Sequence, residues 1–125
     1  DRRSIMKNRK ILKSFKYAFN GIITSFKTEK NMKFHIVMMV LVIIAGALLK
    51  ISKIEWIICV ILFALVISAE LINTAIETIV DMITMEKNEK AKIAKDVAAG
   101  AVLVNDIGST IIGLIIFIPK IINIL

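Results

Sequence analysis

The chain of 125 residues is short of the residues that staple or cage small proteins. It has one cysteine, Cys59, so an intramolecular disulfide is excluded. One histidine, His35, joins that lone cysteine, and no Cys/His spacing suggests zinc. A single proline, Pro119, and five glycines leave no Pro- or Gly-rich linker. No Gly-x-x-x-x-Gly-Lys-Ser/Thr occurs, which removes the phosphate-cradling loop of P-loop nucleotide enzymes. Acids are also few, 10 against 17 basic residues, so each acid's position carries weight.

What is abundant is apolar. Hydrophobic residues make up 58% of the chain and the mean hydropathy is +0.82. A soluble domain of this size could not hide so much apolar surface. The expected fold class is an all-α integral membrane protein, forming one domain over 1–125. It has three spans, at about 34–50, 54–83 and 95–118, with an amphipathic surface helix at about 4–28. The first apolar segment is shorter than the ~20 residues of an ideal span, and Lys33 and Lys50 can snorkel at its ends.

Charge sets an expected orientation. Ten of the 17 Lys and Arg residues precede residue 34, and Lys87, Lys90, Lys92 and Lys95 lie between the second and third spans. By the positive-inside rule the N-terminus and that loop face the cytoplasm, and the C-terminus faces outward. The chain is thus expected to be multi-pass in the cell (cytoplasmic) membrane. A cleaved leader is not expected, because the basic region before Ala45-Gly46-Ala47 is over thirty residues long. In the N-terminal helix, Ile11, Leu12, Phe15, Phe19, Ile22, Ile23 and Phe26 recur in steps of three and four, with lysines on the complementary face. Such a helix anchors at an anionic membrane surface, and it can also wall an active site there.

The informative acids sit in the second span. Glu70, Asn73, Glu77 and Asp81 are separated by offsets of 3, 7 and 11 from Glu70, which return to nearly one azimuth at 3.6 residues per turn. Trp56 to Ala69 holds no charge, so Glu70 lies at the inner end of an apolar run. A carboxylate at such a depth costs roughly 2.5–3.5 kcal/mol on insertion scales and by default marks a functional site. Three readings follow from the residues: salt bridges to Lys87 or Lys95, a divalent cation site, or a proton or cation path. Lys95-Asp96 opens the third span and brings a cation beside the acidic face, an arrangement suited to a polyphosphate. Asp106 is the odd residue, about ten residues into that span and roughly 16 Å deeper than Lys95. It is expected to hydrogen-bond Asn, Ser or Thr of a neighbouring helix, to contact substrate, or to face a water-filled gap at an oligomer axis. His35 is read as an interfacial residue, with contact to lipid or a neighbouring Glu as the alternative.

These residues carry a resemblance. Glu70-Leu71-Ile72-Asn73-Thr74-Ala75-Ile76-Glu77 with Asp81, then Ala94-Lys95-Asp96 and Ala99-Gly100-Ala101-Val102-Leu103, resemble the small prokaryotic diacylglycerol kinases. Ser14-Phe15-Lys16-Tyr17-Ala18-Phe19-Asn20-Gly21 and Glu29 match as well. His35 and Ala98-Ala99-Gly100 are similar to the Gram-positive branch, whose members phosphorylate undecaprenol. The resemblance implies a homotrimer with composite sites between subunits. It also implies an ATP- and magnesium-dependent lipid kinase, with a lipid alcohol as acceptor and no nucleic-acid partner. Diacylglycerol is the alternative acceptor, and a small oligomeric channel or structural protein the alternative of another class. By matched position, Glu70 would be the general base and would bind the lipid together with Ala99. Glu29 and Glu77 would hold magnesium on ATP, and Asn73 would orient that cluster. Lys95 and Asp96 would contact the nucleotide, with Lys10 and Tyr17 closing over it. Asp81 matches a family acid near the site, and Glu86 to Asn88 loosely match a nucleotide-contacting loop. Lys10 stands where better-known members have arginine, so it would meet phosphate as a point charge instead of a fork.

Overall fold

The computed structural model describes residues 1–125 and is entirely helical outside its connections. Helix α1 runs Arg2–Thr28, α2 Lys30–Leu49, α3 Lys53–Ile83 and α4 Glu89–Ile124. The last three are each long and apolar enough to cross a membrane. Only 12 of the 125 residues are buried, so most apolar side chains of these helices face outward, as in a protein solvated by lipid.

The breaks follow from local chemistry. Asp1 caps α1 by accepting the Arg3 N–H at 3.2 Å, so that helix begins two residues before the periodicity suggests. Glu29 adopts an extended conformation (φ −104°, ψ 120°) and separates α1 from α2. The apolar stripe of α1 stays uncovered by the chain: Phe15, Phe19 and Ile23 are all exposed. Only its last turn packs inward, through the buried Ser25.

At the other end of α2, Lys50 takes the left-handed conformation at φ 54°, ψ 55°, and the Ile51 N–H closes onto the Gly46 carbonyl at 3.1 Å. Ser52 then starts α3 with a capping box. Its Oγ accepts the Glu55 N–H at 3.2 Å while Glu55 Oε1 accepts the Ser52 N–H at 2.9 Å. Glu55 also pairs with Lys120 at 2.9 Å, which ties the start of α3 to the far end of α4. Beneath this turn Ile51, Cys59 and Ile116 form the buried core, flanked by Val42, Trp56 and Phe63. Cys59 is a buried packing residue there.

Helix α4 departs from the expected end at residue 118. It passes through Pro119 and continues to Ile124. Proline withholds one N–H from the ladder but leaves later residues free to bond, and the Leu125 N–H still reaches the Ile121 carbonyl at 3.3 Å. At its start α4 begins at Glu89, ahead of the expected 95, because Asn88 Oδ1 accepts the Lys90 and Ala91 N–H groups at 2.9 and 3.3 Å. The charged run between α3 and α4 is therefore partly helical.

Gly46 is the position where close approach decides the residue. A Cβ there would stand 2.7 Å from the Trp56 ring and 3.0 Å from the Ile51 side chain. Gly46→Ala is expected to cost about 1–3 kcal/mol through overpacking, read as a lower thermal unfolding midpoint in detergent, and Trp56→Phe should recover part of it. An unchanged midpoint would show that the indole relaxes without cost.

Candidate active site

The α3 repeat places its polar face against α2 and α4 at the level of Glu70. Glu70 has no exposed surface, and neither of its carboxylate oxygens has a hydrogen-bond partner. Across the helices it meets His35 of α2, whose Nε2 lies 3.6 Å from Glu70 Oε2. The same Nε2 lies 3.8 Å from Asp106 Oδ1 of α4. Three helices thus contribute one titratable side chain each to one cluster, in which Glu70 and His35 are buried and Asp106 is partly exposed. His35 is buried, so the interfacial expectation gives way to the alternative, contact with a neighbouring Glu.

Asp106 departs from the partner expected for it. Two of its neighbours bond within α4 itself: Thr110 Oγ1 donates to the Asp106 carbonyl at 2.7 Å, and Asn105 Nδ2 donates to the Ala101 carbonyl at 3.3 Å. What remains for the Asp106 carboxylate is the His35 imidazole.

One turn on, Asn73 is buried and its Nδ2 donates to Glu77 Oε1 at 3.2 Å. Glu77 and Glu29 are both half-buried, and with Asp106 they are the acids within electrostatic reach of Glu70. No three His, Cys, Asp or Glu side chains form a ready metal cage. Two partly exposed carboxylates instead fit the way magnesium is held, through a few carboxylates completed by water and phosphate oxygens. Glu77 suits that role, because Asn73 occupies Oε1 and leaves Oε2 for another ligand.

Farther along α3 the helices leave the apolar region. Lys95 pairs with Asp81 at 2.6 Å, and Lys92 pairs with Asp96 at 2.7 Å. Asp81 thus meets the salt-bridge reading of the acidic face. These four residues, with Glu86, Lys87 and Asn88, line an open polar cleft of about 710 Å³ between the ends of α3 and α4. Its walls carry both signs of charge and exchangeable side chains.

The chain's own fold does not gather every candidate. Tyr17 is 66% exposed and Lys10 is exposed, and no hydrogen bond or ion pair links either to the acids. Ala99 faces outward while its neighbour Ala98 is buried. Ser25 is a polar group that sequence reading missed: it is buried, and its Oγ has no partner. The available signal was a small hydroxyl three residues past Ile22, on the apolar stripe of α1 and one turn before the Glu29 break.

A family model for prokaryotic diacylglycerol kinase matches residues 16–117. An undecaprenol kinase of Bacillus subtilis is 48% identical over 111 residues, covering 89% of this chain and 90% of that protein. A diacylglycerol kinase of a Synechocystis species is 38% identical over 116 residues, 92% of this chain and 66% of the relative. A diacylglycerol kinase of Haemophilus influenzae is 32% identical over 94 residues, covering 75% and 80%. The matched segment contains Glu29, His35, Glu70, Asn73, Glu77, Lys95 and Asp96. An enclosed carboxylate, on helices of this length and order, therefore sits in a chain that is a kinase of the prokaryotic diacylglycerol kinase family.

Proposed function

We propose that this chain transfers the γ-phosphate of ATP to the hydroxyl of undecaprenol at the cytoplasmic face of the cell membrane, as a homotrimer with its N-terminus inside and its C-terminus outside. The observation that carries the mechanism is the enclosed Glu70 carboxylate, free of hydrogen bonds and one helical turn from the Asn73–Glu77 pair. The acceptor follows the B. subtilis undecaprenol kinase, which aligns over nearly the full length of both chains. The basic bias before residue 34 and in the α3–α4 loop supports the orientation. The trimer answers a different observation: Lys10, Tyr17 and Ala99 face away from the acids of their own chain, where a neighbouring subunit's site could use them.

In this reading the acceptor hydroxyl meets Glu70 at the edge of the apolar region, where an amphiphilic alcohol already lies. Glu70 takes the hydroxyl proton as the oxygen forms its bond to the γ-phosphorus and the bond to ADP breaks. Glu77 and Glu29 would hold magnesium, which neutralises charge on the phosphates when bound. Asn73 fixes the Glu77 carboxylate for that task. Lys95 and Lys92 lie in the polar cleft, paired with carboxylates that a triphosphate can displace. A pore would want acids deep on an axis between copies, whereas Glu70, Glu77 and Asp81 lie toward the cytoplasmic end of α3.

Glu70→Gln is expected to lower kcat by at least ~10²-fold with assembly unchanged, measured by phosphate transfer and by size on a detergent column. Glu77→Gln should raise the magnesium concentration needed for half-maximal rate while Glu70→Gln leaves Mg-ATP binding in place, which titrations of nucleotide protection against heat would read. In parallel assays with labelled ATP, transfer to undecaprenol should exceed transfer to diacylglycerol. The reverse preference would move the acceptor to diacylglycerol and keep the chemistry. Failure with both lipids would remove the acceptor assignment.

A further inference from the structure

We propose that Asp106 is a positioning residue for the phosphate transfer, acting through His35 on Glu70; this rests on Glu70 being the base. Three observations carry it. The His35 imidazole presents one nitrogen, Nε2, to both carboxylates, at 3.6 Å from Glu70 and 3.8 Å from Asp106. Both distances are longer than a hydrogen bond, so the ring stands between the two carboxyl groups and is bonded tightly to neither. The Asn and Thr side chains flanking Asp106 are committed to carbonyls of α4, which leaves its carboxylate no other side-chain partner.

The third observation is space. A largely apolar cavity of about 410 Å³ lies between α2, α3 and α4, with His35 and Asp106 on its wall beside Met38, Leu62 and Phe63. His35 therefore has room to rotate away from Glu70, and Asp106 is the group that keeps it from doing so. The imidazole stands between the two carboxyl groups and keeps them apart. With His35 fixed, the Glu70 carboxylate has a defined face toward the acceptor hydroxyl. With His35 free to turn, the Glu70 carboxylate loses its polar neighbour from α2. Asp106 touches neither nucleotide nor reacting atoms in this scheme. Its effect belongs to the rate of the chemical step and leaves nucleotide binding alone.

The test uses the full chain in detergent with Mg-ATP and undecaprenol. Asp106→Leu, close in size and suited to an apolar helix, is expected to lower kcat about tenfold or more, with KM for ATP within about twofold of the parent. Asp106→Glu should restore part of the loss. The double variant His35→Gln/Asp106→Leu should be no slower than the slower single variant, because both remove one clamp. His35 is the only histidine, so its imidazole nitrogen resonances report the clamp directly, and they should move in Asp106→Leu. A kcat within about twofold of the parent, or losses that multiply in the double variant, overturns the proposal. Should Asp106→Leu fail to fold, Asp106→Asn replaces it, and parental kcat with unmoved resonances then overturns the proposal. Glu70→Gln, run alongside, separates the two ideas. If that variant keeps its turnover, the base assignment fails, and the His35 resonances alone decide whether Asp106 holds the ring.

Discussion

A carboxylate taken fully out of water among apolar helices needs a counter-group, and the arrangement around Glu70 follows from that need. Solvating it with a neighbouring backbone is not open, since the α3 backbone around Glu70 is already bonded within the helix. The partner has to come from another helix, and α2 supplies His35 at the matching level. That choice brings α4 into the same constraint through Asp106. The polar layer thus fixes the relative heights of three helices that otherwise meet through interchangeable Ile, Val and Leu surfaces. Packing alone would leave their sliding poorly specified, because membrane helices gain little from hydrophobic contact with one another. Glu70 is still left without a true hydrogen bond, an incomplete satisfaction that an incoming hydroxyl would relieve.

The two ends of the bundle are built with different chemistry. At the α2–α3 turn the contacts are short, reciprocal and local: the capping box of Ser52 and Glu55, the Glu55–Lys120 pair, and the indole seated on Gly46. At the other end the contacts are exposed ion pairs, Lys95 with Asp81 and Lys92 with Asp96. Exposed pairs of this kind hold little, because water and salt screen them. One end holds the helices together, and the other can be rearranged without unfolding them.

Much of this was legible in the sequence, and the reasons are local. The periodicity of Ile11 to Phe26, the uncharged run from Trp56 to Ala69, and the return of Glu70, Asn73 and Glu77 to one azimuth are properties of single helices, and four helices resulted. The Asn73–Glu77 hydrogen bond spans one turn and is of the same kind. The His35–Asp106 contact was not legible, because it depends on the register between α2 and α4, which no single-helix pattern encodes. Asp106 stood out as an acid in an apolar run, yet its partner required the relative height of another helix. The end of α4 was misplaced for a related reason: a rule about proline in isolation ignores that Glu55 draws Lys120 inward just beyond Pro119. The roles of Lys10, Tyr17 and Ala99 came from family resemblance, and their own chain leaves them turned away from the acids.

With 12 of 125 residues enclosed, the chain imposes little shape complementarity on most of its apolar positions. Ile, Leu, Val and Met are nearly equivalent to a hydrocarbon solvent, so positions of α2, α3 and α4 that meet lipid can drift among them at small cost. Positions such as His35, Gly46, Glu70 and Asn73, fixed by contacts within the chain, cannot. Divergent copies of this fold should therefore look unrelated along most of each helix, while agreeing at isolated sites spaced by whole turns.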